Sequence, residues 1–264
     1  MLREAGLAPK KSFGQNFLVT ADVADRIAAA AVPEGETSTV VEIGAGTGAL
    51  TAALAERAER VIAIERDRDL VPLLERAFEG APNVRVVEAD AKTMDFADAG
   101  DSFVLAGNLP YQITGLLLQR AATLGSRLRR AVFMVQREVA DRLLASPGSK
   151  TYGALTVFTR AAFDVARLMN VAPGAFFPPP DVTSTVVVLA PRADRVVETE
   201  RFRELVSKAF EQRRKTLRNA WRSVAPPEEL ASAAAAAGVS LDSRGETLAV
   251  ADFAAMERAL DRRI

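Results

Sequence analysis

This sequence predicts an α/β fold with a mostly parallel sheet and one antiparallel strand near its end, followed by a small all-helical domain. Three observations carry the prediction. Between residues 39 and 145, short apolar runs alternate with helical stretches, as in a parallel sheet covered by helices on both faces. Between 165 and 189, two strand-like runs flank a proline-rich segment that leaves no room for a helix. Beyond Pro191 the apolar spacing becomes wholly helical. The 264 residues are 49% hydrophobic and 26% charged, values of a globular chain.

In order along the chain, residues 39–43 (TVVEI) form an apolar run closed by Gly44, and 49–58 read as a helix. Residues 61–65 (VIAIE) are a second strand and 70–78 a second helix. A third strand at 84–87 leads to Asp90. A fourth at 103–106 runs into GNLPY at 107–111 and a helix over about 113–123. A fifth strand at 131–135 precedes a helix over roughly 137–145. The runs 165–171 and 184–189 are joined through PGAFFPPPDV, whose prolines forbid a helix. Such a short link cannot make a right-handed parallel crossover, so the pair is antiparallel at the end of the sheet. This arrangement fits a Rossmann-like sheet of the class I methyltransferase type better than a dehydrogenase. The domain boundary falls in PRADRVVET, dividing the chain into 1–192 and 193–264. In the second part Phe202, Leu205, Val206, Ala209, Phe210, Leu217 and Trp221 share one face of a helix over about 201–222. Helices over 227–237 and 251–261 follow.

Composition removes whole classes of chemistry. With no cysteine, disulfides and thiolate catalysis are excluded. With no histidine, imidazole bases and imidazole metal ligands are excluded, and no metal site is expected. No apolar run approaches the roughly 18–20 residues of a membrane span. The N-terminus, MLREAGLAPKKSFGQNF, has no apolar targeting core, so secretion and organelle import are not expected and the cytoplasm is. Net charge is zero but unevenly spread. Residues 34–101 hold 15 acidic and 7 basic side chains, residues 192–222 hold 5 and 10, and residues 127–142 hold 2 and 5. This points to an anionic macromolecule touching part of the surface.

Gly44-Ala-Gly46-Thr-Gly48 follows a strand and opens a helix, and Glu65 ends the next strand. Glycines there allow a tight turn and close approach of a ligand, and a carboxylate at that place can accept from both ribose hydroxyls. GAGTGA also satisfies the dinucleotide fingerprint, so NAD competes. Two features favour S-adenosylmethionine. Asp90, after the third strand, can accept from an adenine amine. The loop lies beside Glu42, in the acidic part of the chain, which repels pyrophosphate and suits a cationic sulfonium.

Asn108-Leu109-Pro110-Tyr111 falls at the C-terminal end of the fourth strand, where open α/β sheets place ligands. The exocyclic nitrogen of adenine is a poor nucleophile, its lone pair delocalised into the ring. The Asn108 side-chain oxygen and a carbonyl of Leu109-Pro110 can accept its two hydrogens, and Pro110 can hold that carbonyl inward. Tyr111 offers a ring for stacking an unstacked base. On the rigid loop before Pro178-Pro179-Pro180, Phe176 is a candidate for the other face of the base, and Phe177 could serve equally.

These residues resemble the ribosomal RNA adenine N6,N6-dimethyltransferases, specifically their small-subunit branch. The likeness runs through KKSFGQNFL at 10–18, VEIGAGTGALT at 41–51, IERD at 64–67, GNLPYQIT at 107–114, FFPPPDVTS at 176–184 and AFEQRRKTLRN at 209–219. It implies that Asn16 and Leu18 reach the cofactor from an N-terminal arm and that Gly44 and Gly46 line it. It further implies that Glu65 takes the ribose and Asp90 the adenine amine. Asn108 would then lie at the methyl-transfer site, with Tyr111 and Phe176 about the base. The implied substrate is a pair of adjacent adenosines near the 3′ end of 16S rRNA, within an assembling small ribosomal subunit and reached by a monomer.

Large-subunit adenine methylases of the macrolide-resistance type share the fold and QNF but typically read NIPY. A non-catalytic RNA-binding assembly factor would not need NLPY or the cofactor carboxylates. An NAD oxidoreductase would need a proton donor that is not evident here. For RNA docking, Arg214, Arg218 and Arg222 recur every four residues with Lys215 beside them, a basic stripe on the 201–222 helix. Arg213 falls on its apolar side. The Arg127, Arg129 and Arg130 cluster is the second expected phosphate grip.

Overall fold

The computed structural model describes residues 7–10, 14–212 and 214–261, with the main chain alone at Tyr111. It divides into two compact units. The first runs to Ala140 and resumes at Asp164–Pro191, and the second holds Asp141–Phe163 and the chain from Arg192 onward. The expected cut after 192 thus falls one residue late, and it also misses that residues 141–163 belong to the second unit. The reason is packing: Ala145, Tyr152, Val157 and Ala161 are buried in the same apolar cluster as Phe202, Leu205 and Trp221.

The first unit begins with β1 (Phe17–Leu18) and α1 (Ala21–Ala31). Alternation follows with β2 (Thr39–Ile43), α2 (Ala49–Ala55), β3 (Arg60–Glu65), α3 (Val71–Ala77), β4 (Val84–Glu88) and β5 (Phe103–Asn108). Next come α4 (Thr114–Thr123), β6 (Leu128–Gln136) and α5 (Arg137–Leu143). After α6 (Ala154–Ala162), of the second unit, come β7 (Phe163–Val171), β8 (Phe176–Phe177) and β9 (Ser184–Pro191). The sequence reading passes over α1 and α6. In α1 the buried Val23, Ala24, Ile27, Ala28 and Ala31 follow helical spacing.

Seven strands form one sheet in the order β4-β3-β2-β5-β6-β9-β7. The β2/β3, β2/β5, β3/β4 and β5/β6 pairs are parallel. β9 runs antiparallel to β6, from Ala131↔Leu189 to Gln136↔Ser184. The antiparallel strand is therefore as expected, and β9 with β7 forms the end of the sheet, β9 lying between β6 and the outermost β7. The inner strands are buried along almost their whole length, Val40, Val41, Ile62, Ala63, Val104, Ala106, Val132 and Phe133 among them. Such continuous apolar runs are what a sheet covered on both faces requires. The chain leaves β2 toward β3 and β4, then crosses back to β5. The C-terminal ends of β2 and β5, where Ile43 pairs with Gly107, thus flank a topological switch point. A Cβ at Gly107 would lie 2.5 Å from the Ile43 carbonyl oxygen, so only glycine lets the two strands meet there.

The second unit continues with α7 (Glu200–Glu211), α8 (Leu217–Ala220), α9 (Pro227–Ala237) and α10 (Val250–Asp261). It packs around fully buried Trp221, whose indole N–H donates to the Leu205 carbonyl at 2.8 Å. Thr199 caps α7 by accepting from the Phe202 amide. The single helix expected over 201–222 is broken. The Leu217 and Arg218 amides donate to the carbonyls of Ser243 and Leu241, each at 2.8 Å. That tertiary pairing takes the donors a continuous helix would use. Arg214, Arg218 and Arg222 consequently share no helix face, and Arg213 lies outside the described residues.

Candidate active site

At the C-terminal ends of β2, β3 and β5, one cavity is lined by five chain segments. They are the arm 14–18, the glycine loop from Glu42 to Leu50, residues 64–67, residues 89–91, and Asn108, Leu109 and Pro110 with Gln112 and Ile113. The expected site residues Asn16, Leu18, Gly44, Gly46, Glu65, Asp90, Asn108, Leu109 and Pro110 all line it. The side chain of Tyr111 lies outside what the structure describes.

The glycine loop hangs from β3, with the Gly44 and Ala45 amides donating to the Ile64 carbonyl at 2.9 and 3.0 Å. Gly46 has φ +59°, and a Cβ there would lie 3.0 Å from the Phe17 ring of the arm. Positive φ and close approach both call for glycine.

Glu65 accepts from the Gly46 amide on one oxygen and from the Arg66 and Asp67 amides on the other, each at 2.8 Å. Three main-chain donors fill most of a carboxylate's roughly four acceptor positions and pin the group in place. Asp90 accepts from the Lys92 amide at 2.9 Å, with Arg66 and Lys92 charges 3.4 Å away. Burial pushes its carboxyl up, but these partners outweigh that and hold it below the usual carboxylate range. Glu42, 1% exposed, accepts from the Thr51 hydroxyl at 2.5 Å. Burial pushes its carboxyl up to about 7, Thr51 opposing and the Glu65 charge assisting.

The Asn108 side-chain amide donates to the Asn16 carbonyl at 3.0 Å. The Leu109 amide donates to the Met134 carbonyl at 3.0 Å, fixing the turn out of β5. The Pro110 carbonyl accepts from the Ile113 amide at 3.1 Å and the Thr114 hydroxyl at 3.2 Å.

Other expected residues behave differently. β1 pairs antiparallel with β8, matching Phe17 with Phe177 and Leu18 with Phe176. Phe176 is 4% exposed, packs in the core with Leu18 and Ile27, and does not line the cavity. Phe177 is 48% exposed. Phe177 is therefore the exposed aromatic of this loop, and neither ring lines the cavity. The Arg127–Arg130 cluster is corrected. Arg127 donates to the Phe96 and Gly100 carbonyls, and Arg129 and Arg130 grip Glu36 at 2.6 and 2.9 Å. Arg129 and Arg130 lie at the start of β6 and Arg127 just before it, at the end of the parallel sheet opposite the cavity, and they tie down its own loops. Arg214, Lys215, Arg218 and Arg222 are exposed, with Arg218 paired to Asp242 at 3.2 Å.

Lys10, Gln15, Asp67 and Thr51 were not singled out by sequence. Asp67 closes the IERD run, and Lys10 and Gln15 lie within KKSFGQNFL, but a contact spanning more than fifty residues leaves no local signature.

A family model described as ribosomal RNA adenine dimethylase matches residues 6–262. The chain belongs to that family. This dimethylase is 45% identical to Ribosomal RNA small subunit methyltransferase A of Anaeromyxobacter sp. (strain K), over 98% of this chain and 96% of the relative. It is 41% identical to the protein of that name from Geobacter metallireducens, over 98% of both chains. Among solved structures it is similar to a dimethyladenosine transferase from Plasmodium falciparum. That likeness has a TM-score of 0.79 and 27% identity, over 91% of this chain and 95% of the other. It also resembles the 23S rRNA methyltransferase ErmE, with TM-score 0.72 and 27% identity, over 93% and 100%. The fold of this dimethylase is thus that of the class I methyltransferases. Among the described residues, no helix is long and apolar enough to cross a membrane.

Proposed function

We propose that this enzyme transfers methyl groups from S-adenosylmethionine to the exocyclic amines of two adjacent adenosines in 16S rRNA, taking each to the N6,N6-dimethyl form. The substrate is an assembling small ribosomal subunit, and the enzyme works as a cytoplasmic monomer. One observation carries the reading of the site. The Asn108 amide nitrogen is engaged by the Asn16 carbonyl, so the side-chain oxygen of Asn108 is left aimed as an acceptor at the end of β5.

The donor set fits the cofactor. Glu42, Glu65 and Asp90 line one cavity, which suits a cationic sulfur, a ribose diol and an adenine amine and disfavours pyrophosphate. When bound, S-adenosylmethionine supplies a methyl group on positively charged sulfur. Glu65 would offer its remaining acceptor position to the ribose, and Asp90 would accept from the purine amine. Gly44 and Gly46 admit close main-chain approach, and Asn16 and Leu18 close the cavity from the arm.

Toward the target base, Asn108 Oδ1 accepts one amine hydrogen. The Pro110 carbonyl already accepts two bonds, so Leu109 provides the second acceptor. Together they draw the nitrogen toward tetrahedral geometry and stabilise the positive charge that grows on it as its bond to the methyl carbon forms and the carbon–sulfur bond breaks. The proton then leaves to water. Positioning supplies most of the rate. Tyr111 and one ring of the Phe176-Phe177 pair stack on the base. In the second unit, exposed Arg214, Lys215 and Arg222, with Arg218, contact RNA phosphates.

The likeness to ErmE keeps a large-subunit substrate as the second reading. One experiment separates them: tritiated cofactor is offered with unmethylated small and large subunits in parallel, and the labelled base is mapped. Label on adjacent adenosines of small-subunit RNA is expected, and label confined to the large subunit overturns the assignment.

A further inference from the structure

The described arm residues meet the cavity wall at three points. Lys10 Nζ lies 2.6 Å from an Asp67 oxygen and 2.6 Å from an Asp69 oxygen. Gln15 donates its side-chain amide to the other Asp67 oxygen at 2.8 Å and accepts from the Lys10 amide at 2.7 Å. Lys10 and Gln15 are therefore joined to each other and grip both oxygens of one carboxylate. That carboxylate is 4% exposed and lines the cavity, and the amide of the same residue donates to Glu65. Beyond Gln15, the Asn16 carbonyl orients Asn108, and the Phe17 ring lies against Gly46. Asp67 thus connects the carboxylate that would take the ribose to the arm that aims the acceptor amide.

We propose that Asp67 is a positioning residue that latches the N-terminal arm through Lys10 and Gln15, so that seating the cofactor and orienting Asn108 are one event. The proposal rests on the cofactor reading above. Its physical basis is linkage: a cofactor held by the closed arm has its apparent affinity reduced by whatever fraction of molecules is open. Burial pushes the Asp67 carboxyl up, but hydrogen bonds from Lys10, Gln15 and the Asp69 amide outweigh it, so the latch stays charged.

The test is calorimetry with S-adenosylmethionine and steady-state kinetics on the wild type, Lys10→Met, Lys10→Arg, Asp67→Asn and the Lys10→Met/Asp67→Asn double variant. Each single loss is expected to raise the dissociation constant and KM for the cofactor by about ten-fold, the worth of one charge-assisted bond at a partly exposed place. The double variant is expected to be no worse than the singles, Lys10→Arg to recover most of the loss, and kcat of Lys10→Met at saturating cofactor to return to near wild type. Additive losses, or wild-type affinity in Lys10→Met, overturn the latch even if Asp67→Asn fails to fold. Absence of cofactor binding by the wild type overturns the cofactor reading, and the latch with it.

Discussion

Asn108 and Asn16, 92 residues apart in sequence, are joined by a 3.0 Å hydrogen bond from the Asn108 side-chain amide to the Asn16 main-chain carbonyl. A carbonyl can only accept, so the amide nitrogen must face it and the oxygen must face away. Asn108→Ala should lower the methyl-transfer rate at least about 100-fold, the usual loss for one transition-state group, while cofactor affinity stays within a few-fold. Asn108→Asp should also loosen the arm, because it sets a carboxylate oxygen against a carbonyl. Calorimetry and single-turnover rates check both, and near-normal turnover in Asn108→Ala would overturn the assigned role.

Glu42 links pH to stability. Its carboxyl rises from an ordinary value of 4.5 to about 7 in the folded protein. Between those values the folded state holds a proton that the unfolded state has lost, so stability falls as pH rises through the window, by about 3 kcal/mol in full. Glu42→Gln keeps an acceptor for Thr51 and carries no charge. It should match the wild type near pH 4.5 and exceed it by about 2–3 kcal/mol at pH 8. A stability difference that does not change with pH would refute the argument.

Phe176 and Phe177 should separate cleanly. Phe176→Ala opens a core cavity and should cost about 3–5 kcal/mol of stability. Phe177→Ala should leave the melting temperature in place and lower kcat/KM for RNA by the equivalent of about 1–3 kcal/mol of stacking. Thermal melts alongside kinetics distinguish the two.

Gly107→Ala forces a Cβ to within 2.5 Å of the Ile43 carbonyl. Separating β2 from β5 should cost about 1–3 kcal/mol, read as a lower denaturant midpoint, and should weaken cofactor binding, because the cavity opens between those strands.

Charge reversal at Arg214, Lys215 and Arg222 should weaken subunit binding and flatten its salt dependence. The log–log slope should fall by roughly 0.7–0.9 for each phosphate that is no longer neutralised, with melting temperature and cofactor affinity unchanged since all three side chains are exposed. A wild-type slope would place the docking surface elsewhere.

Much of the fold was legible from periodicity. The strand–helix alternation, the glycine turn after Ile43, the carboxylate closing β3 and the Asn-Leu-Pro-Tyr turn after β5 are local features, each written in a few adjacent residues. Their convergence on one cavity follows from parallel strand order, which places every strand's C-terminal end on the same side.

Contacts that span many residues were not legible. The spacing of Arg214, Arg218 and Arg222 suits one helix, yet the carbonyls of Leu241 and Ser243 take the amides of Arg218 and Leu217 and break it. Arg127, Arg129 and Arg130 look like a phosphate grip until their carbonyl and Glu36 partners are known. Which phenylalanine of the adjacent pair is buried was set by the pairing of β1 with β8. Adjacent residues in a strand point to opposite faces, so hydrophobicity cannot choose between two identical rings, and the register with a strand 159 positions earlier does. Residue types and local spacing therefore identified the chemistry, whereas the direction in which each side chain is aimed came from partners far along the chain.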